Sequence, residues 1–215
     1  MMRLYSYWRS TAAYRVRIAL NLKGIDHELI PVDLVAGGGA QHAPDYVALN
    51  PAQLLPTLVL DDGTALTQSL AIVDWLEATH PMPRLLPADH TSRARILAAA
   101  YLIAMDIHPV NNLRVMQELE HRFGAGAEAK ADWMRHWMRL GFDALEGMVE
   151  PDMPFAVTDA PSLADICLVA QMYNARRWGL DLGPYPRLVA IDAAARALPA
   201  FAKAAPEVQP DAPQT

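Results

Sequence analysis

The chain has 215 residues, 53% of them hydrophobic and 20% charged, with a formal net charge of −6. That is enough apolar sequence for one large core or two small ones. The acidic balance argues against a nucleic-acid surface, which needs a clustered basic face. The one cysteine, Cys167, excludes an internal disulfide and a cysteine metal site; it lies in an apolar helical run, residues 163–170, and reads as a buried inert thiol. The seven histidines show no HExxH or paired spacing, so no metal site is expected. The longest apolar-leaning stretch, residues 95–110, is interrupted by Asp106 and His108, which argues against a bilayer span. The amino terminus runs straight into strand-like sequence without a signal-peptide pattern, and the expected compartment is the cytoplasm.

In chain order, residues 4–8 make a short apolar run with the length of a buried strand. Arg9, Ser10 and Thr11 follow, then a helical pattern in which Val16, Ala19, Leu20 and Lys23 share a face and Gly24 is the stop. Ser10 and Thr11 thus sit where a strand turns into a helix, and the free N–H groups and positive dipole end there favour an anion. Two readings are open at this point: a hydroxyl that simply caps the helix, or a site for a bound thiolate. Residues 27–32 read as a second strand that Pro31 places at an edge or end. After a loop over 36–45 and a short helix over 45–49, residues 54–60 and 64–67 read as a β-hairpin turned by Asp61-Asp62-Gly63. Ser69 is the natural N-cap of a helix over 70–79.

Prolines at 81, 83 and 87 mark residues 80–88 as an interdomain linker. Beyond them the pattern is helical, over 91–121 with a bend near Pro109, then 129–149, 162–178 and 187–197. Ser162 to Asp165 has the form of a capping box, and the Met and Trp run at 133–138 reads as core. Residues 206–215, with three prolines and few apolar groups, read as a disordered tail.

The fold class is therefore α/β followed by all-α, and particular residues narrow it. A strand ending in Arg9-Ser10-Thr11, a Leu55-Pro56-Thr57 strand start and Gln68-Ser69 at the head of the next helix resemble the zeta class of the glutathione transferase superfamily. This is the family of the maleylacetoacetate and maleylpyruvate isomerases. Leu85-Leu86-Pro87, residues 107–112 and Ser162 to Asp165 extend the likeness over both domains. The resemblance implies glutathione transferase architecture: a thioredoxin-like glutathione-binding domain over 1–80, a linker over 81–88 and a helical substrate domain over 89–205. It also implies glutathione as cofactor, with Ser10 beside the sulfur, Thr11 close by, and the Leu55 backbone before a cis-Pro56 pairing with the peptide. Gln68 and Ser69 would hold the γ-glutamyl end, and Gln41, His108 and Asn112 match positions near the glycyl end.

The implied reaction is cis–trans isomerisation of a conjugated diketo dicarboxylic acid, maleylacetoacetate or maleylpyruvate, by reversible thiolate addition. A dicarboxylate needs arginines. The family pattern points to Arg9 and Arg177, which join Ser10 and Thr11 as the catalytic set, and to Arg114, with Arg176 left open. Arg15 and Arg17 are expected to serve the helix surface or a domain contact. The family further implies a cytoplasmic homodimer working in aromatic catabolism. Two alternatives keep the fold: glutathione conjugation or dehalogenation of small α-halo acids, and glutathione binding without catalysis. One departure stands out, since Ala12 replaces the family's cysteine and Thr11 its second serine.

Overall fold

The computed structural model describes residues 1–213. They divide into two compact units, Met1–Arg84 joined by the described residues from Leu198 onward, and Leu85–Ala197. In the first unit, strands β1 (Met2–Ser6), β2 (His27–Pro31), β3 (Thr57–Val59) and β4 (Ala65–Thr67) form one mixed sheet in the order β2-β1-β3-β4. β1 and β2 are parallel, with Leu4 opposite Leu29, and need a crossover, which helix α1 (Thr11–Leu22) supplies. The short helix α2 (Pro44–Leu49) precedes β3, and α3 (Ser69–Thr79) follows β4. β3 pairs antiparallel with both β1 and β4, and Gly63 at φ +89° turns the hairpin. The arrangement is thioredoxin-like, with β2 and its Pro31 on an edge.

β1 ends at Ser6, two residues earlier than the apolar run suggests. The chain turns there, with the Ser10 N–H donating to the Tyr7 carbonyl at 2.9 Å. α1 stops at Gly24 as expected: Gly24 adopts φ +64°, and the Ile25 N–H closes back on the Leu20 carbonyl. Every residue of α1 from Thr11 to Leu20 is buried, because α3 and α9 (Pro199–Ala204) both pack on it. Arg15 and Arg17 are consequently core residues at 2% exposure each, which corrects the expected helix-surface role. At the end of α1, Lys23 ties the helix to α3 and to the chain beyond it, donating to Glu77 and to the carbonyls of His80 and Pro83.

The disordered tail expected over 206–215 is corrected for its described part. Pro206–Val208 forms a 3-10 turn, Gln209 is buried, and its amide donates to the Lys203 and Ala205 carbonyls. The segment carries no apolar periodicity; it is held by these bonds to the end of α9 and by Asp211, which accepts from the distant Trp8 N–H. Gln214 and Thr215 lie outside the described residues.

The second unit begins inside the expected linker. Leu85 and Leu86 are buried, and the Leu85 carbonyl accepts from the Leu163 N–H. Helices α4 (His90–Tyr101), α5 (Leu113–Phe123), α6 (Ala127–Met148), α7 (Leu163–Arg177) and α8 (Pro186–Arg196) make up the bundle. Between α4 and α5 the chain passes through a π turn, Leu102–Ile107, and a 3-10 turn, Pro109–Asn111, where the sequence placed a bend. The run His90–Phe123 is long and apolar enough to cross a membrane by length and composition alone, a test that core helices of globular units also pass. Gly141 lets α6 approach the π turn closely, since a Cβ there would meet Ile107 Cδ1 at 2.2 Å.

α7 is the central helix, buried almost throughout and packed by α4 and α8. Its start is fixed by the expected capping box. The Asp165 carboxylate accepts from the Ser162 N–H (2.8 Å), the Ser162 hydroxyl (2.7 Å) and the Ala156 N–H (2.7 Å). Burial pushes this carboxyl above the ordinary aspartate range, against the pull of those hydrogen bonds. Asp165→Ala leaves three buried donors without their acceptor and is expected to destabilise the protein by about 3 kcal/mol, read from the shift in urea unfolding.

Candidate active site

The register of the sheet gathers three backbone features at one of its ends. Tyr5 of β1 lies opposite Thr57 of β3, which lies opposite Thr67 of β4. The turn that follows β1, the Leu55-Pro56 pair that precedes β3 and the Gln68-Ser69 pair that follows β4 are therefore neighbours.

In the first of these, Ser10 is the N-cap of α1 and its Oγ accepts from the Ala13 N–H at 3.2 Å. A hydroxyl that accepts keeps its hydrogen for another partner, so capping and anion binding are compatible here. Thr11 and Ala12, buried in the first turn, follow it. The Arg9 guanidinium lies over the rings of Trp8 (5.3 Å) and Tyr7 (6.0 Å). Across from it the N–H groups of Ala36 and Val35 hold the Asp33 carboxyl below its ordinary range, with a smaller contribution from the Arg9 charge.

The backbone of this turn is held from two directions. Arg17 donates to the Tyr7 carbonyl (3.3 Å), the Trp8 carbonyl (3.0 Å) and the Ser6 hydroxyl (3.0 Å). Asp211, near the other end of the chain, accepts from the Trp8 N–H at 2.8 Å. The sequence pattern places Arg17 on the helix surface or at a domain contact and does not point to Asp211, because a contact spanning 203 positions leaves no local signal.

The second feature is the cis peptide Leu55–Pro56, present as the resemblance implied. The Leu54 carbonyl just before it accepts from Tyr46 Oη and Asn50 Nδ2, both of which also bond Thr57 Oγ1. Among the described residues, no hydrogen bond engages the N–H or the carbonyl of Leu55, so both can pair with an added extended peptide. The third feature is the head of α3. Its N-cap is Gln68, at φ +67°, rather than the expected Ser69. Ser69 is instead the first helical residue, buried, with its Oγ accepting from Arg15 Nη1 at 3.4 Å. A non-glycine residue at this φ is strained, and such strain concentrates at ligand sites. Gln41, from the loop after β2, is buried with its amide 2.9 Å from His42 Nε2. Two helix N-termini, a hydroxyl with a hydrogen to give and an open backbone pair suit glutathione, which carries a thiol, a peptide and carboxylates.

The remaining candidates lie on the second unit. His108 closes the π turn. Asn112 is the N-cap of α5: its Oδ1 accepts from the Val115 N–H and its Nδ2 donates to the Pro109 carbonyl. Arg114 is exposed and lines a cavity of about 460 Å³ with Val115, Glu118, Leu119 and Trp133. Trp133 therefore faces a cavity, whereas Met134 and Met138 of the same run are core, as read from sequence. Arg176 is committed to the buried Asp192, and its neighbour Arg177 is exposed, with its guanidinium 5.0 Å from the Trp178 ring. Among the described residues, no cluster of His, Cys, Asp or Glu could hold a metal ion.

Residues 9–79 match the family "Glutathione S-transferase, N-terminal domain". A probable maleylacetoacetate isomerase of Vibrio cholerae is 50% identical over 210 residues, 97% of each chain. The holo structure of a maleylpyruvate isomerase, described as a bacterial zeta-class glutathione transferase, superposes with a TM-score of 0.94 at 43% identity, over 98% of this chain and 100% of the other. The chain belongs to the zeta-class glutathione transferase family. Maleylacetoacetate isomerase of Methylobacterium extorquens AM1, solved with bound malonate and glutathione, is also similar, with a TM-score of 0.94 and 40% identity over 99% and 100% of the two chains. The family's two-part architecture is the one seen here, and the first unit contains the whole matched stretch.

Gln68 is exposed and makes no cap bond. Gln68→Ala is expected to raise the Kd for glutathione about fivefold, the loss of roughly one net hydrogen bond, with the unfolding midpoint nearly unchanged. Isothermal titration and urea unfolding check the two parts.

Proposed function

We propose that this protein is a glutathione-dependent cis–trans isomerase of a conjugated diketo dicarboxylic acid, maleylacetoacetate or maleylpyruvate. The observation that carries the reading is the Ser10 turn in a chain that matches isomerases of this class along its whole length. Glutathione, the cofactor, supplies a thiolate that adds to the cis double bond, lets it rotate as a single bond and leaves again, so that it is not consumed.

The chain's own residues prepare that chemistry. Ser10 donates its hydroxyl hydrogen to the sulfur while its Oγ continues to accept from Ala13, and the positive end of α1 adds to the preference for the anion. A free thiol with a pKa near 8.5 is mostly protonated at neutral pH, so this preference decides how much nucleophile is present. Thr11 supports the same site, and with Ala12 in place of a cysteine the hydroxyls and the helix end do this without a second thiol. Leu55 pairs with the cysteinyl peptide, Gln68 and Ser69 hold the γ-glutamyl end at the head of α3, and Gln41, His108 and Asn112 serve the glycyl end. Arg9 and Arg177 bind the substrate carboxylates, and Arg114 contributes a further cation beside its cavity; charge that develops on the substrate during addition is stabilised by the same donors. We take the enzyme to be a cytoplasmic homodimer of aromatic catabolism, following its family.

A coupled assay with each diketo acid, with and without glutathione, tests the reading. Turnover that needs only catalytic glutathione is expected; glutathione binding without turnover of either acid would sink the isomerase and favour conjugation or dehalogenation. Ser10→Ala should lower kcat about a hundredfold or more while glutathione affinity changes only a few-fold. Arg177→Ala should act mainly on the KM for the dicarboxylate, raising it about tenfold; an unchanged KM returns that arginine to the surface.

A further inference from the structure

We propose that the carboxyl-terminal segment is a positioning strap for the Ser10 turn, with Asp211 as its contact residue and Arg17 as its internal brace. The inference rests on the reading that the Ser10 hydroxyl stabilises a bound thiolate.

The need for such a strap follows from where β1 stops. Beyond Ser6 the ladder ends, and the N–H and carbonyl groups of Tyr7 and Trp8 require other partners. The Tyr7 carbonyl accepts from both Ser10 N–H and Arg17, the Trp8 carbonyl accepts from Arg17, and the Trp8 N–H donates to Asp211. The peptides that lead into Ser10 are thus held by two charged side chains, and charge-assisted hydrogen bonds of this kind are the stronger ones. Arg17 also donates from Nε to the Ala204 carbonyl at 3.0 Å, where α9 ends. One guanidinium therefore grips the turn and the base of the strap together.

The strap itself is built to present its carboxylate. α9 packs on α1, and the Gln209 amide is buried against the Lys203 and Ala205 carbonyls. The Ala212 N–H closes on the Gln209 carbonyl at 3.0 Å, forming the turn that carries Asp211. Asp211 touches neither Ser10 nor Arg9 in any hydrogen bond or ion pair found among the described residues, so its action on the site runs through the Trp8 peptide. A displacement of Ser10 Oγ by a fraction of an ångström would weaken its bond to a sulfur anion.

Positioning and bare charge predict opposite signs. A carboxylate near a thiolate raises the thiol pKa by repulsion, so removing it as a mere charge would lower that pKa. Removing it as a positioning group loosens Ser10 and raises the pKa.

The test compares full-length wild type, Asp211→Ala and Asp211→Asn, the last keeping a neutral acceptor. Three quantities are read: hydrogen exchange of the Trp8 amide, the pH titration of enzyme-bound glutathione by thiolate ultraviolet absorbance, and kcat. In Asp211→Ala the Trp8 amide should exchange at least tenfold faster, the thiol titration midpoint should move up by about one pH unit, and kcat at neutral pH should fall about tenfold. Asp211→Asn should recover most of each. A faster-exchanging Trp8 amide with an unchanged thiol midpoint overturns the proposal, as does a midpoint that moves down. If Asp211→Ala fails to fold, Gln209→Ala carries the test: it should move the midpoint up by a smaller amount, and a wild-type midpoint in it overturns the proposal. Failure of the isomerase reading shows separately, as absent turnover of both diketo acids by the wild type, because the thiol titration needs no substrate.

Discussion

A guanidinium buried in a helix that is covered on all sides is costly unless every donor finds an oxygen. Arg17 offsets that cost with each of its three nitrogens bonded, to a hydroxyl and three backbone carbonyls drawn from the end of β1, the turn after it and the end of α9. Among the described residues those carbonyls have no sheet or helix partner of their own, so the arginine and the segments around it satisfy one another. The first unit depends on this exchange: it fixes where the sheet stops, aims the head of α1, and anchors the last described residues of the chain. Its aromatic neighbour Tyr14, whose ring lies 5.3 Å from the guanidinium, completes the enclosure.

From that constraint the chemistry of the site follows. Ser10 becomes an N-cap because the turn delivers it to the start of α1, and a capping hydroxyl that accepts from the backbone still has a hydrogen to donate. The second helix head, at Gln68 and Ser69, reaches the same end of the sheet because β1, β3 and β4 are in direct register. Arg15, one turn away from the Ser10 cap on α1, bonds Ser69 and so ties the two helix heads together through the core. Two positive helix ends and one open backbone pair are a chemically coherent receptor for a peptide that carries a thiol and carboxylates.

The second unit distributes its arginines by the rotation of the helix. Arg176 and Arg177 are adjacent, yet one turns toward the buried Asp192 while the other is exposed beside Trp178. A step of about 100° per residue separates the ion pair with a buried carboxylate from a guanidinium on the exposed face of the helix. The same unit is held in place by Asp165, whose three hydrogen bonds join the start of α7 to the loop at Ala156.

What the sequence determined by itself was everything written in local patterns. The α/β-then-α order, the hairpin at Gly63, the Gly24 stop, the bend at Pro109 and the Ser162–Asp165 box all rest on residues within a few positions of each other, where propensity and hydrogen-bonding chemistry act directly. The motifs at Ser10, Pro56 and Gln68 were legible for the same reason, and their order carried the family. Tertiary structure decided whatever depended on a distant partner. The true end of β1, the burial of Arg15 and Arg17, Gln68 as the cap of α3 and the ordered strap from α9 to Asp211 each hang on groups far apart in the chain. A polar, proline-containing stretch has no apolar period to announce that it will be ordered; its partners are backbone groups left open where a strand ends, and only the folded sheet puts them within reach.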